Sequence, residues 1–564
     1  MSHSDSDSTL IGRVIDIQSG RLFATLFPSE AGFPSTKTLG DETLPIGQLA
    51  TLVEIKDRAG QILAEVARSY EEAVGSRNVK SDTDAAAPRQ VTVRERRLEL
   101  TALGEINAAG KLEPGVSRYP LIGATVHVIP SMRLAELLAR HTQVALELGR
   151  LSVRPTLKAT LEPTALFGRH LAILGQSGAG KSWTLSSLLQ RVVKTMPHSH
   201  IILLDLHGEY GWKQADGTTA GIFPPGTARY LDAQELEIPY WLLTYSELVD
   251  LFVDRADNNA TLQIAFLRET VYALRKQSNQ HAGIDRLSVD SPVYFSIEEL
   301  YQRFKKANEE KLEFGKVKGP LFGAFDDFLV RFLSLYNDGR YDFFMHPRKN
   351  NTSARLEDLL RDFVGLGEPK RQVTVIDLSP VPVDLRPVIS AQIGRLAYEF
   401  NYWNPRRHEF PLLLVCEEAH QYIPRESDTR FVGTRRSMER IAKEGRKYGV
   451  TLCIVSQRPT ELSETVLAQC GNYLCLRISN ADDQEYVRRL LPEGAKNLAD
   501  RLASLRRGEV LAVGDAALLP TRIQVDLPDP PPASSDAPFS RSWMNGPDDL
   551  DVADIIDRWW RQVR

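Results

Sequence analysis

Residues Gly175–Ser182 read Gly-Gln-Ser-Gly-Ala-Gly-Lys-Ser and stand between two stretches of different texture. Before them lies the apolar run His170–Leu174; after them Trp183–Val193 has helical character. A glycine-rich turn joining a buried strand to a helix admits few folds. The glycines let consecutive backbone N–H groups curl round an anion, and the helix points its positive end at the same place. The GxxxxGK[ST] spacing is complete, so the stretch reads as the phosphate-binding loop of a nucleotide-binding protein. Gly175, Gln176, Ser177, Gly178, Ala179 and Gly180 form the cradle, with Trp183 opening the helix beyond it. Lys181 is placed to reach the β- and γ-phosphates, and the Ser182 hydroxyl to join a Mg²⁺ shell. Arg169, immediately before the strand, is a further candidate for phosphate charge.

At 564 residues the chain is long enough for two to four domains. Hydrophobic content of 42% and charged content of 25% are globular values. No apolar run reaches the length of about 18 residues that a membrane helix needs, and the polar, acidic start does not read as a secretory signal. The expected location is the cytoplasm, with no membrane partner. Cys416, Cys453, Cys470 and Cys475 lie mostly within apolar runs at spacings that fit no zinc pattern, so core packing is expected of them. The net charge of −4 requires that any positive surface for nucleic acid be local.

The expected fold class is α/β: a RecA-like P-loop core with a small N-terminal β-barrel and a helical insertion. Residues 1–130 carry short alternating runs (Ile11–Ile17, Arg21–Phe27, Leu49–Ile55, Ile62–Ala67, Thr125–Ile129) that suggest the barrel or a sandwich. Gly75–Pro88 is polar and reads as a mobile loop. Residues 131–525 form the core, where continuous apolar strands alternate with helices as in a parallel sheet covered on both faces. The predicted strands are Leu171–Leu174, Ile201–Asp205, Val373–Asp377, Leu412–Cys416, Thr451–Val455 and Tyr473–Ile478. Residues 239–369 interrupt the series with capping-box patterns at Thr244–Glu247 and Ser296–Glu299, and read as a helical insertion. Residues 526–564 contain a proline-rich stretch, Leu527–Pro538, that reads as an exposed linker, and an amphipathic segment with Trp559 and Trp560. Those tryptophans are expected to dock on a neighbouring subunit, on the chain's own surface or on a partner.

Leu412–Cys416 ends in Glu417 and Glu418. On a strand beside the P-loop strand, the first acid is expected to hold Mg²⁺ through water and the second to orient and deprotonate the attacking water. Asp205, His207 and Glu209 share one glycine-bearing turn at a strand end, a place suited to positioning water or the γ-phosphate. Gln457, after another strand, carries an amide that both donates to a phosphate and accepts from water. Arg446, flanked by Gly445 and Gly449, is either an arginine finger for a neighbouring site or a surface arginine, with Arg440 as the fallback.

In this order Gly175–Ser182, Asp205–Tyr210, Ile238–Leu242, Glu417–His420, Glu444–Gly449 and Ser456–Pro459 resemble the motifs of the HerA family, hexameric FtsK-like ATPases, over roughly residues 1–525. The resemblance implies a RecA-like motor assembled as a homohexamer that uses ATP and Mg²⁺ to translocate double-stranded DNA. It also implies an effector, either a NurA-like nuclease in DNA end processing or a sirtuin-like or nuclease enzyme in antiphage defence. By the same resemblance Lys181, Ser182, Glu417, Glu418 and Gln457 act in cis and Arg446 in trans. Arg425, Arg430, Arg435 and Arg436 follow the acids. Repeated around a ring they line a pore, or else they form an exposed loop whose charges partly cancel. An alternative of another class is a ring that binds ATP to hold its shape and dock an effector, with DNA pumping secondary.

Overall fold

The computed structural model describes residues 8–561 except 19, 30–31, 59, 80–88, 140–143, 215–217, 280–282, 313–316, 426–431, 492, 535–536 and 547–548. The chain divides into two compact units, Met1–Glu162 with Ala517–Gln524, and Pro163–Ala516 with Val525–Arg564.

In the first unit the alternating runs form strands Leu10–Gln18, Arg21–Leu26, Leu52–Lys56 and Thr125–Val128, together with two long strands, Gln61–Val79 and Arg89–Ile106. Arg21–Leu26 pairs antiparallel with Leu10–Gln18 on one side and with Arg89–Ile106 on the other. Alternate residues of a strand face the same way, so Val14, Leu22, Val53, Ile55, Val66, Leu98 and Val126 gather in one apolar cluster. Gly75–Val79, expected in a loop, continues the strand instead: Gly75 pairs with Val93 and Val79 with Arg89. This end of the ladder has few apolar residues to signal a strand; just before it the two strands are bridged by the ion pairs Arg96–Glu71 and Arg97–Glu72. The rest of that expected loop lies outside the described residues. The unit runs past residue 130 because helix Ser131–Leu138 lays Leu134 and Leu137 against Leu63, Ile106 and Leu519.

In the second unit the strand order is Glu509–Gly514, Cys470–Cys475, His170–Leu174, Val450–Ser456, Leu412–Cys416, Ile201–Asp205, Val373–Asp377, Ala228–Asp232. Neighbours are parallel except at Glu509–Gly514, which is antiparallel to Cys470–Cys475. The six predicted strands are present, the last of them at Cys470–Cys475 rather than at the expected Tyr473–Ile478. Ala228–Asp232 has no expectation behind it, since its residues are only half-buried at the sheet edge and it lacks an apolar run. Val510–Val513, by contrast, is apolar and buried, a legible signal that the expected strand series omitted. The four cysteines are free and buried in this unit.

Between Ala228–Asp232 and Val373–Asp377 lie helices Tyr245–Phe252, Ala260–Ser278, Ile297–Glu309, Asp326–Tyr336 and Leu356–Phe363. Thr244 closes a full capping box with Glu247, and Ser296 accepts from the Glu299 amide. Phe304 stacks on Phe328 with ring centres 3.8 Å apart. These aromatics belong to the same buried cluster as Leu174, Leu204, Ile376 and Leu414, so the insertion shares its core with the sheet.

Leu527–Pro538 is not simply an exposed linker. Ser187 Oγ donates to the Asp526 carbonyl (2.7 Å) and Arg191 to the Asp526 carboxylate (2.9 Å). Gln190 donates to the Pro530 carbonyl (2.9 Å) and accepts from the Asp529 amide (3.0 Å). Ser187, Gln190 and Arg191 are spaced three and four apart along helix Lys181–Thr195, so they form one polar row for the strap to follow. Pro528 and Pro532 are buried, and the Ala533 amide reaches the Glu209 carbonyl (2.8 Å). In the last helix, Val552–Arg561, Trp559 and Trp560 are 72% and 81% exposed. Among the described residues no helix is long and apolar enough to cross a membrane.

Candidate nucleotide site

The P-loop is held at the carboxyl end of its strand by neighbours on both sides. The Gly175 amide donates to the Ser456 carbonyl (3.2 Å), the Gln176 amide to the Arg477 carbonyl (3.0 Å), and the Gln176 side chain accepts from the Ser479 amide (2.8 Å). Gly180 starts helix Lys181–Thr195 at φ +106°, and a Cβ there would meet the Gly508 backbone at 3.2 Å. Only glycine fits that conformation and that gap. Ser177 and Gly178 are exposed at the tip of the loop, whereas Ala179 is buried. Lys181 Nζ donates to the Gln176 carbonyl (3.2 Å), and Ser182 is half-buried beside it. Trp183 is also half-buried, with its indole N–H buried and unpartnered.

The acid-bearing strand is not next to the P-loop strand, as expected, but one strand further away. Val450–Ser456 lies between them, in register with both. That strand delivers Gln457, half-buried, to the same edge, and its last residue links the two neighbours. Ser456 accepts from the P-loop through its carbonyl, while its Oγ lies 3.3 Å from His420 Nδ1. His420 Nδ1 is in turn 3.3 Å from Glu418 Oε2. A continuous path of contacts therefore joins the phosphate loop to Glu418.

Glu417 and Glu418 are 3% and 8% exposed, and each keeps a buried Oε2 without a hydrogen bond. Glu418 has φ +43°, the left-handed region that side chains seldom occupy. Glu417 Oε1 accepts from the Tyr210 hydroxyl (2.7 Å), and its backbone carbonyl from the Tyr422 hydroxyl (3.0 Å). Burial drives the Glu417 carboxyl well above the usual range, with Asp205, Glu209 and Glu418 adding repulsion. Burial lowers Lys181, opposed by the attraction of Glu418, Glu417 and Glu209. It lowers His420 as well, against the attraction of Glu418, which favours the neutral imidazole.

The Asp205 turn divides its expected roles. Asp205 accepts from the amides of His207 (3.3 Å), Gly208 (2.8 Å), Glu209 (3.0 Å) and Tyr210 (3.0 Å). Its carboxylate builds the turn, with burial pushing its pKa up to about 6 against those donors. The His207 ring is exposed. Glu209, half-buried with an unpartnered Oε2, shares the electrostatic field of Lys181. Tyr210 and His420 fall within the quoted motifs, yet sequence reasoning assigned them no role. Tyrosine and histidine next to acids have many uses, and only the packing singles these two out.

Several arginines are not brought to the loop. Arg169 precedes its strand and so stands at the opposite edge of the sheet from the phosphate loop, paired with Asp515 (2.9 Å). Arg446 is exposed ahead of Val450–Ser456, also at the opposite edge. Arg440 is engaged with Glu444 (3.3 Å) and lies over the Tyr398 ring. Arg425 pairs with Glu464 (2.5 Å) and Arg435 with Glu439 (2.8 Å), while Arg436 is exposed. Arg430 lies outside the described residues.

A magnesium–nucleotide complex fits the residues that are present. Mg²⁺ takes oxygen donors, usually one or two carboxylates plus substrate phosphates. The Ser182 hydroxyl and the spare buried carboxylate oxygens of Glu417 and Glu418 supply that chemistry next to a P-loop lysine. The unit is thus a mixed α/β fold with a P-loop-ATPase-like core and a helical insertion.

Residues 146–397 match the family model described as "Helicase HerA, central domain". The chain is 27% identical over 442 residues to the DNA double-strand break repair helicase HerA of Sulfolobus acidocaldarius, covering 77% of each protein. It is 28% identical over 415 residues to the protein of the same name from Pyrococcus furiosus, covering 67% of this chain and 69% of that one. Among solved structures, VirB4 of Thermoanaerobacter pseudethanolicus aligns at 17% identity with a TM-score of 0.45, over 72% of this chain and 99% of that one. The family match and the sequence relatives point to the HerA/FtsK-like ATPase superfamily.

Proposed function

We propose that this chain hydrolyses ATP to drive itself along double-stranded DNA, as a homohexameric ring of the HerA type. The observation that carries the reading is the contact path from the P-loop through Ser456 and His420 to Glu418, a buried acid with a spare oxygen. The P-loop amides and Lys181 take the phosphates, and Lys181 offsets the charge that develops on the γ-phosphoryl oxygens. Ser182 and Glu417 would hold Mg²⁺, which supplies charge neutralisation between the phosphates when bound. Glu418 orients a water in line with the γ-phosphorus and takes its proton as the oxygen attacks, while the bond to the β–γ bridging oxygen breaks and ADP leaves with that oxygen. Gln457, from the intervening strand, is placed to sense the γ-phosphate. Arg446 is exposed at the far end of Val450–Ser456 from its own loop, which suits a role at a neighbour's site.

DNA enters the reading through the relatives, which are named as DNA double-strand break repair helicases. Arg425, Arg435, Arg436 and Arg430 are the phosphate-contacting candidates in the ring pore. We read the N-terminal sheet as a barrel on the double pairing of Arg21–Leu26, and the effector as a NurA-like nuclease or a sirtuin-like enzyme. A second reading, a ring that mainly holds its shape to dock such an effector, is favoured by the exposed tail, where Trp543, Trp559 and Trp560 are 82%, 72% and 81% exposed.

The test is ATP hydrolysis by the purified chain with and without linear duplex DNA across a salt series, with the particle mass measured in the same buffer. The expected result is a ring-sized particle stimulated by DNA, with the stimulation falling steeply as salt rises. A ring that turns over slowly and ignores DNA supports the docking platform instead.

A further inference from the structure

Tyr210 is fully buried, and its hydroxyl donates to Glu417 Oε1 at 2.7 Å across the sheet edge. Its backbone is fixed on both sides. The amide donates to Asp205 Oδ2 (3.0 Å), and the carbonyl accepts from the Ile222 amide (3.1 Å). The turn that presents it is tight, because Asp205 also binds the Gly208 and Glu209 amides. Gly208 sits at φ +72°, and Gly211 is so close to the Tyr230 ring that a Cβ would fall 2.5 Å from it. The phenol is therefore carried on a braced loop and aimed at one oxygen of one carboxylate.

That bond removes a choice. A carboxylate on a strand end rotates about its last torsion and offers either oxygen to a cation or its water. With Oε1 bonded to Tyr210, the Glu417 oxygen that makes no hydrogen bond is Oε2, which is buried. The Glu417 carbonyl is held separately by the Tyr422 hydroxyl, so the backbone and the side chain of this acid have different anchors. We infer that Tyr210 is a positioning residue for Glu417, holding its carboxylate so that a single oxygen faces the magnesium–nucleotide complex. The inference rests on the nucleotide-site reading above. It also gives the Asp205 turn its purpose: both Asp205 carboxylate oxygens accept from amides of the turn, so Asp205 acts by holding Tyr210.

The test is Tyr210→Phe in the full chain, read by binding of a fluorescent ADP analogue during a Mg²⁺ titration and by thermal melting. Loss of a partner that orients a metal-binding side chain typically costs about 10–100-fold in metal affinity or activity. The expected result is a rise of about tenfold in the Mg²⁺ concentration needed for half-maximal nucleotide binding, with nucleotide binding still reached at high Mg²⁺. Tyr422→Phe, which loses the contacts to the Glu417 carbonyl and the Cys416 thiol but none to the Glu417 carboxylate, is expected to leave the Mg²⁺ midpoint unchanged. The double variant Tyr210→Phe with Glu417→Gln is expected to match Glu417→Gln alone, because the phenol acts through that carboxylate. An unchanged midpoint in Tyr210→Phe, or a lower melting temperature with no shift in midpoint, overturns the assignment and leaves a structural hydrogen bond. An additive double variant overturns it as well. Lys181→Ala separates the two levels: if that variant binds nucleotide normally, the site reading itself fails, whereas Lys181→Ala inactive beside a normal Tyr210→Phe rejects only the role of Tyr210.

Discussion

Glu418 occupies the left-handed backbone region at φ +43°, a conformation that costs a residue with a side chain about 1–2 kcal/mol. Strain of this kind persists where the surroundings enforce it, and it gathers at functional sites. Here the strand ends at Cys416, Glu417 turns towards Tyr210, and the reversal at Glu418 sends its carboxylate to His420 and the P-loop side. His420 Nδ1 lies 3.3 Å from Glu418 Oε2 without a hydrogen bond to it, so that buried oxygen keeps its capacity to accept. Glu418→Gln is nearly isosteric and is expected to bind ATP as the native chain does. Turnover is expected to fall by about 10²–10⁴-fold, the usual contribution of a general base. Single-turnover hydrolysis alongside equilibrium nucleotide binding checks this, and a fall in binding equal to the fall in rate would remove Glu418 from the chemistry.

At the scale of elements, Glu247 joins local and distant structure. It closes the capping box with Thr244, and it also receives the Arg395 guanidinium at 3.1 Å, with its own side chain fully buried. Arg395 belongs to helix Arg386–Trp403, so one carboxylate both starts an insertion helix and ties the insertion to a helix that follows the sheet strand Val373–Asp377. Removing one partner of a buried ion pair costs about 3–5 kcal/mol, more than a helix cap alone at about 1 kcal/mol. Glu247→Ala is therefore expected to lose about 3–5 kcal/mol, measured as the shift of the urea transition followed by the fluorescence of buried Trp241. A loss near 1 kcal/mol would mean that only the cap matters. The proline-rich strap is a second element whose meaning depends on what it touches. It binds the polar row of the P-loop helix and reaches the turn that carries Glu209.

At the scale of the whole molecule, the position of Arg446 sets the prediction. It precedes the seven-residue strand Val450–Ser456, whose far end carries Gln457 at the P-loop edge. Seven strand residues span roughly 23 Å, too far for an arginine to reach its own γ-phosphate site. In the proposed ring, that distance leaves the exposed Arg446 to act at a neighbour's site. Arg446→Ala is expected to bind nucleotide normally and to hydrolyse it poorly. Mixing it with Lys181→Ala subunits is expected to restore part of the activity, since some interfaces then combine an intact P-loop with an intact arginine. Mixed rings with no more activity than either parent would rule out the role in trans.

The sequence by itself determined what depends on near neighbours in the chain. Glycine spacing, a buried strand and a helix start are enough for Gly175–Ser182, continuous apolar runs for the parallel strands, and Thr244 with Glu247 for a capping box. Each is decided within a few residues by backbone freedom, burial or a local hydrogen bond. Strand order was not legible in that way, so the insertion of Val450–Ser456 between the P-loop strand and the acid strand came only with the fold. So did the bond from Tyr210 to Glu417, 207 residues apart, and the strap from Asp526 to Ser187, 339 residues apart. A hydroxyl or a carboxylate has no sequence period that names its partner. Which one it meets is set by how the sheet assembles and which groups remain buried with a hydrogen bond still to make.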